Sequence, residues 1–130
     1  MKVIINADGA ARGNPGPAAI GATLKDESGK RLASVSKRIG RATNNQAEYR
    51  AVIAALEQAL KLGAAELEVY LDSELVVRQL NGRYRVKNAA LKPLYLRAKE
   101  LQGRFRSSVV HHIPRLKNAE ADNLANAALG

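Results

Sequence analysis

Apolar positions along the chain follow two periods, and these periods predict the order of strands and helices. Short runs of branched aliphatic or alternating residues predict five strands, and longer stretches with a helical period predict four helices. The predicted strands span residues 2–8, 18–25, 31–39, 67–71 and 107–113, and the predicted helices span residues 44–62, 74–80, 92–102 and 118–129. The predicted order is therefore β-β-β-α-β-α-α-β-α.

Turn-forming residues separate these elements. Residues 13–17 (Gly-Asn-Pro-Gly-Pro) follow the first strand, and residues 26–29 (Asp-Glu-Ser-Gly) predict a hairpin between the second and third. Residues 40–43 are predicted to form a loop. The long helix that follows can form the crossover between parallel first and fourth strands. We therefore expect an α/β fold, with a mixed sheet flanked by helices, in a single domain covering residues 1–130.

The net charge of the chain limits the classes of molecule that we expect it to bind. Lys and Arg number 21 and Asp and Glu number 12, for a formal net charge of +9. Between Arg78 and Lys117 there are eleven basic residues and one acid, Glu100. Such a stretch gains affinity by releasing counterions from a nucleic acid, although a basic surface can also serve solubility alone. Aromatic residues make up only 4% and Trp is absent, which favours a duplex over a base-stacked single strand.

Two absences exclude other classes of protein. The chain has no Cys, so disulfides and thiolate metal sites are excluded. No apolar run is long enough for a membrane span, and Asn6 and Asp8 interrupt the N-terminal apolar run before it reaches the length of a signal peptide. We expect a cytoplasmic monomer without a membrane partner.

Two acids stand at predicted strand ends. Asp8 ends the first strand and Asp72 follows the fourth, so parallel pairing would bring both carboxylates to one edge of the sheet. Each has an ordinary alternative explanation, an Asp-Gly turn for Asp8 and a helix N-cap for Asp72. Position alone leaves these alternatives open.

Two further acids lie on predicted helices. Glu48 shares one side of its helix with Val52 and Ala55, and a carboxylate on a buried face is unfavourable unless it is paired or bound to a cation. Attraction to the helix N-terminus is the alternative explanation for Glu48. Asp122 lies at the border of the apolar face of the last helix, where a half-exposed first-turn acid is an equally good explanation.

Together, the four acids indicate metal-dependent hydrolysis. Crowded carboxylates need cations or protons, and oxygen ligands without Cys suit Mg²⁺ or Mn²⁺. Two such ions about 4 Å apart would activate a water molecule and stabilise the leaving oxygen of a phosphodiester. The basic stretch would supply affinity for the polyanionic substrate.

The segments that contain these acids resemble the four motifs of the ribonuclease H family. They are residues 8–18 (DGAARGNPGPA), 43–48 (TNNQAE), 70–73 (YLDS) and 118–125 (NAEADNLA), and they occur in the family's order across nearly the whole chain. Any one of them is a weak signal, whereas the four together are specific.

The resemblance implies a fold and an activity. The fold is the ribonuclease H-like fold, a five-stranded mixed sheet with strand order 3-2-1-4-5 flanked by helices. The activity is endonucleolytic hydrolysis of the RNA strand of an RNA–DNA hybrid, which leaves 5′-phosphate and 3′-hydroxyl ends. The resemblance also implies two Mg²⁺ ions, with Mn²⁺ as an alternative, held by Asp8, Glu48, Asp72 and Asp122.

The same motifs imply substrate contacts. Asn14, Asn44, Asn45 and Gln46 match positions that contact the hybrid, including the RNA 2′-hydroxyl, and Thr43 matches a position near a DNA-strand phosphate. A side-chain amide can both donate to and accept from a 2′-hydroxyl, which only RNA carries. Turn and helix-cap roles for the same residues can coexist with binding.

The sequence departs from many family members in the loop before Asp122. Those members carry a His in this loop, whereas residues 114–117 (Pro-Arg-Leu-Lys) contain none. We expect Arg115 to take the part of that His in catalysis. His111 and His112 lie upstream, on the predicted last strand, and we interpret them as structural or surface residues.

Two other departures concern the substrate. The segment between the second and third helices is too short for the Trp-bearing basic protrusion of some relatives. Arg83, Arg85 and Lys87 offer a smaller basic substitute, so we expect weaker binding of the hybrid. Glu74 stands where some relatives have Gln. Double-stranded RNA is a second candidate substrate, as in some compact family members.

Two other functions stay open at this point. A 3′→5′ exonuclease on the same general fold usually carries Asp-x-Glu at the end of the first strand, and Ala10 occupies the Glu position here. A catalytically silent nucleic-acid-binding module would use the basic stretch equally well, but it would not need the Glu48 carboxylate on an apolar helix face.

Overall fold

The computed structural model describes residues 1–130, and five strands and four helices account for most of the chain. A short 3₁₀ turn, Arg115–Asn118, precedes the last helix. The strands are β1 (Lys2–Ala11), β2 (Gly16–Lys25), β3 (Arg31–Ala42), β4 (Glu66–Leu71) and β5 (Ser107–His112). The helices are α1 (Asn44–Lys61), α2 (Glu74–Leu80), α3 (Lys92–Gln102) and α4 (Ala119–Leu129).

The strands form one mixed sheet in the order β3-β2-β1-β4-β5, which confirms the predicted order. β1 pairs with β2 in antiparallel orientation and with β4 in parallel orientation, and β4 pairs in parallel with β5. The parallel β1–β4 pair needs a crossover, and α1 lies in it.

Helices cover both faces of the sheet. Gly9 and Gly21 show this most directly, because they belong to neighbouring strands and face opposite sides. A Cβ at Gly9 would overlap the backbone of Ala47 in α1, whereas a Cβ at Gly21 would overlap the backbone of Ala121 in α4. The larger of two core clusters contains 24 buried residues and includes Ile5, with Tyr49 and Leu56 from α1. Both helices therefore rest directly on β1 and β2, the strands nearest the acids.

The predicted end of the first strand was wrong. β1 does not end at Asp8 but continues to Ala11, because antiparallel pairing with β2 persists to that residue. Parallel pairing with β4 ends earlier, at Asn6, so Asp8 still lies just beyond the point where β1 and β4 separate. The ordinary Asp-Gly turn is thereby excluded, since Asp8 is inside a strand.

The predicted loop at residues 40–43 was also largely wrong. β3 continues through Ala42, and Gly40 pairs with Ala18 on β2. Gly40 adopts a φ of 80°, which glycine tolerates, and the sheet accommodates it by a register shift between Ala18 and Ala19. The glycine therefore marks an irregularity within β3 and not a loop. The last helix begins at Ala119, one residue later than predicted, after the 3₁₀ turn.

Gly21→Ala should destabilise the fold by displacing α4. The added Cβ would overlap the Ala121 carbonyl oxygen and lie 2.5 Å from the Ala125 nitrogen, and neither atom can move without the helix. We expect the free energy of unfolding to fall by about 1–3 kcal/mol, as at other overpacked sites, in urea denaturation.

Gly103→Ala is the matched control for this substitution. Its Cβ would meet nothing nearer than 3.4 Å, and its φ of −66° suits alanine. It should leave stability unchanged or raise it slightly by restricting the unfolded chain. Equal losses in both variants would contradict the close approach of α4 to β2.

Candidate active site

Three acids from three different elements meet at one edge of the sheet. Asp8 comes from β1, Glu48 from the second turn of α1, and Asp72 follows β4. Ligand oxygens of all three carboxylates lie within 4.8 Å of one another. The predicted convergence of these acids is therefore present in the structure.

Asp72 is not the N-cap of the following helix. Ser73 takes that position, and its Oγ accepts a hydrogen bond of 3.3 Å from the Val76 backbone N–H. The ordinary explanation for Asp72 is thereby excluded, and its carboxylate faces the other two acids.

Glu48 is buried, with only 8% of its surface exposed. Its Oε1 accepts a hydrogen bond of 2.7 Å from the Gly9 backbone N–H, while Oε2 is buried without any partner. The first turn of α1 contains no acid, so attraction to the helix N-terminus does not account for Glu48. A buried, unpartnered carboxylate oxygen is a strong reason to look for a bound cation.

Crowding of the carboxylates changes their affinity for protons. Burial is the main cause that raises the pKa of Asp8 to about 10, and the nearby Glu48 and Asp72 carboxylates contribute to the same rise. Burial is likewise the main cause that raises the pKa of Glu48 to about 7, although the nearby Asp8 carboxyl and the hydrogen bond from the Gly9 N–H act to lower it. This donor set, three oxygen ligands that cannot all be ionised without a cation, fits a divalent ion such as Mg²⁺ or Mn²⁺.

Asp122 lines the same cleft but stands outside the group of three. The cleft encloses about 440 Å³. Asp122 reaches it from the first turn of α4 and is half-buried. The Arg115 guanidinium lies 3.6 Å from Asp122 Oδ1, and 78% of the Arg115 side chain is exposed. The structure thus brings Arg115 to the mouth of the cleft.

Asn118 is a site residue that sequence reasoning missed. Its buried side-chain Nδ2 donates to Asp72 Oδ2 at 3.1 Å and to the Ala7 carbonyl oxygen at 2.9 Å, and its Oδ1 accepts from Asn6 Nδ2 at 3.1 Å. These bonds tie the Asp72 carboxylate to β1. The signal in the sequence was an Asn at the start of a helix, which ordinarily predicts a cap, but Asn118 makes no side-chain cap bond.

The predicted substrate residues surround the beginning of α1. Thr43 and Gln46 form a reciprocal capping box, with bonds of 3.1 Å and 2.8 Å, and Asn14 Oδ1 accepts from the Asn44 backbone N–H at 3.1 Å. Asn44 and Asn45 also line the acid-containing cleft. A neighbouring cleft is lined by Asn14, Thr43, Asn45, Gln46, Asn88, Ala90 and Leu91. The predicted helix-cap chemistry is therefore present, and it leaves these side chains beside two open clefts.

Other residues singled out by the sequence lie away from the acids. His111 stacks on Tyr70 with 5.0 Å between ring centroids, and neither His111 nor His112 lines the cleft. Glu74 accepts a hydrogen bond of 2.8 Å from Arg78, whose guanidinium also lies 5.3 Å from the Tyr84 ring. The segment from Arg83 to Arg85 is exposed. In addition, none of the helices is both long enough and apolar enough to cross a membrane.

Comparison with known sequences identifies a family. The profile of the reverse transcriptase-like family matches residues 6–128. The bifunctional protein Rv2228c of Mycobacterium tuberculosis is 50% identical over 130 residues, which are 99% of this chain and 36% of that protein. Ribonuclease HI of Halobacterium salinarum is 48% identical over 122 residues, which are 94% of this chain and 61% of that protein. The chain thus spans only part of the length of these relatives.

Solved structures give the same family. The crystal structure of the Halobacterium salinarum RNase H1 superimposes with a TM-score of 0.97 at 46% identity, covering 99% of this chain and 98% of that one. LC11-RNase H1 in complex with an RNA/DNA hybrid superimposes with a TM-score of 0.93 at 46% identity, covering 98% of this chain and 96% of that one.

In the absence of divalent cations, the protein should lose stability as pH rises. A carboxyl group whose pKa is raised by folding stabilises the fold fully below its unfolded pKa of about 4, and this contribution is lost as pH rises through the folded pKa. The loss due to Glu48 should fall between about pH 4 and about pH 7, and the loss due to Asp8 should continue to about pH 10. Thermal melting in EDTA across this range measures both.

Mg²⁺ should raise the melting temperature most at the alkaline end, because the cation binds the deprotonated acids. Asp8→Asn removes one titrating group, so the decline above about pH 7 should be smaller in this variant. A melting temperature that falls equally with and without Mg²⁺ would contradict a cation site at these acids.

Proposed function

This chain belongs to the ribonuclease H type 1 family, and on that premise we propose that residues 1–130 form one catalytic domain that cleaves the RNA strand of RNA–DNA hybrids. The cleavage is endonucleolytic and leaves 5′-phosphate and 3′-hydroxyl ends. The observation that carries the proposal is the convergence of Asp8, Glu48 and Asp72 in one cleft, with a buried Glu48 oxygen that has no partner in the protein.

Asp8, Glu48, Asp72 and Asp122 would hold two Mg²⁺ ions, with Mn²⁺ as an alternative. Bound cations of this kind supply an activated water molecule and stabilise charge on the leaving oxygen. The protein's own contribution is to orient the carboxylates that would bind the cations. The Gly9 N–H fixes one oxygen of Glu48 and the Asn118 amide fixes one oxygen of Asp72, so the carboxylates are oriented before substrate arrives.

The hybrid would lie over the acid-containing cleft and its neighbour at the beginning of α1. Asn14, Asn44, Asn45 and Gln46 offer amides to the RNA strand, and Thr43 lies in the same rim as a contact for a DNA-strand phosphate. The net charge of +9 favours binding of a duplex polyanion. We propose that the protein binds it as a monomer. Double-stranded RNA, which also carries 2′-hydroxyls, is a secondary substrate to compare.

Arg115 would take the part that a His plays in many family members. Its guanidinium lies next to Asp122, and its charge also acts on Glu48. The exposed side chain can follow a phosphate that leaves the cleft, which is the role we assign to it.

The two alternative functions are less well supported. Ala10 lines the cleft at the position where an exonuclease would present a Glu, and it offers no ligand. A silent binding module has no use for buried carboxylates whose pKa values are raised by burial, because such groups only weaken the fold when they ionise.

Cleavage of a strand-labelled hybrid tests the proposal. With Mg²⁺, the wild type should cut the RNA strand internally, and Asp8→Asn should reduce the rate by more than about 100-fold while binding is retained, since loss of even an outer partner of a metal site costs 10–100-fold. Binding is measured by fluorescence anisotropy. If the wild type binds the hybrid but neither Mg²⁺ nor Mn²⁺ yields fragments, the binding-module alternative is correct.

Arg115→Ala should slow turnover more than it weakens binding. We expect a loss of kcat on the order of 10–100-fold with a small change in KM, because slower departure of the cleaved phosphate lowers turnover without weakening binding. Lys117→Ala is the matched control, since Lys117 lies in the same 3₁₀ turn but does not line the cleft. Equal losses of kcat and of affinity in Arg115→Ala would indicate a simple phosphate contact.

A further inference from the structure

The backbone of α4 is held rigidly on the sheet. Gly21 lets the helix lie directly on β2, Ser36 Oγ donates to the Leu124 carbonyl oxygen at 2.7 Å, and Arg38 Nε donates to the Ala128 carbonyl oxygen at 3.0 Å. Because the helix backbone is fixed, the position of the Asp122 carboxylate depends on rotation of its own side chain.

Asp122 differs from Glu48 and Asp72 in how its carboxylate is restrained. Glu48 accepts a hydrogen bond from the Gly9 N–H, and Asp72 accepts one from the Asn118 amide. Gly9 lies in β1, and Asn118 is buried and bonded to β1. The charged neighbour of Asp122 is Arg115, an exposed side chain at 3.6 Å. An exposed ion pair of this kind contributes about 0–1 kcal/mol and does not fix geometry.

A second donor lies one helical turn beyond Asp122. The side-chain Nδ2 of Asn126 is 3.2 Å from Asp122 Oδ1 and 3.0 Å from the Asp122 carbonyl oxygen, and Asn126 lines the acid-containing cleft. Because the Asn126 amide is bonded to both of these Asp122 oxygens, it restricts rotation of the Asp122 carboxylate. We propose that Asn126 is a positioning residue that orients Asp122 toward the three-acid cluster, an inference that rests on the function proposed above.

A neutral amide suits this role for an electrostatic reason. A Lys or Arg at position 126 would compete with a cation for the Asp122 charge, whereas an amide orients the carboxylate and leaves its charge available. Asp122 lines the same cleft as Asp8, so an orientation that keeps the two carboxylates close is the one that a shared cation requires. Asn126 thus serves Asp122 as Asn118 serves Asp72.

Asn126→Ala tests this inference, with Asn123→Ala as the matched control. Both residues are exposed Asn side chains on α4, so both substitutions change helix propensity equally, but Asn123 makes no side-chain hydrogen bond and does not line the cleft. We expect Asn126→Ala to bind Mg²⁺ about 10-fold more weakly in calorimetry on the substrate-free protein and to lower kcat by about 10-fold with KM unchanged. Asn123→Ala should match the wild type in all three.

The outcomes separate this inference from the proposed function. If the wild type fails to cleave hybrids, the proposed function is wrong, but the difference in Mg²⁺ affinity between the two variants still tests the positioning role. Equal Mg²⁺ affinity in Asn126→Ala and Asn123→Ala overturns it. A raised KM with unchanged kcat and unchanged Mg²⁺ affinity also overturns it, since Asn126 would then contact substrate rather than Asp122.

Discussion

Electrostatic repulsion among carboxylates is the constraint on which the rest of this structure depends. Asp8 and Glu48 are buried, Asp72 is half-buried beside them, and their negative charges can coexist only with protons or cations. The protein surrounds them with donors that are neutral. A backbone N–H and the side-chain amide of Asn118 orient two of the acids without cancelling their charge, so the site retains its affinity for a divalent ion.

The topology of the sheet explains why these acids can meet. β1 and β4 run parallel and then separate after Asn6, and this divergence opens the space that Asp8 and Asp72 share. Helices α1 and α4 approach the same place from opposite faces, and each does so over a glycine, Gly9 or Gly21, where a side chain would hold the helix away. The site is thus a product of close packing as much as of the acids themselves.

The order of elements could be predicted from the sequence because it leaves local signals, whereas the acids had ordinary alternative explanations until their four motifs were taken together. Periodicity predicts strands and helices, and Glu48 on an apolar helix face is visible from spacing alone. The continuation of β1 past Asp8 could not be predicted, since it depends on pairing with β2. The bonds of Asn118 were equally inaccessible, because its partners Asn6 and Ala7 lie 112 and 111 residues away in the chain. The i,i+4 spacing of Asp122 and Asn126 is visible in the sequence, but the rotation of the Asp122 side chain is not.

The long separation between Asn118 and its partners also bears on how the molecule folds. Contacts between distant parts of a chain form late, since loop closure must precede them. The β2–β3 hairpin is local, whereas the Asn118 bonds need the chain's last quarter to dock on its first strand. A folding intermediate with α4 undocked would therefore carry Asp8, Glu48 and Asp72 without the amide that orients Asp72. Orientation of the Asp72 carboxylate is in this sense coupled to docking of the last quarter of the chain on β1.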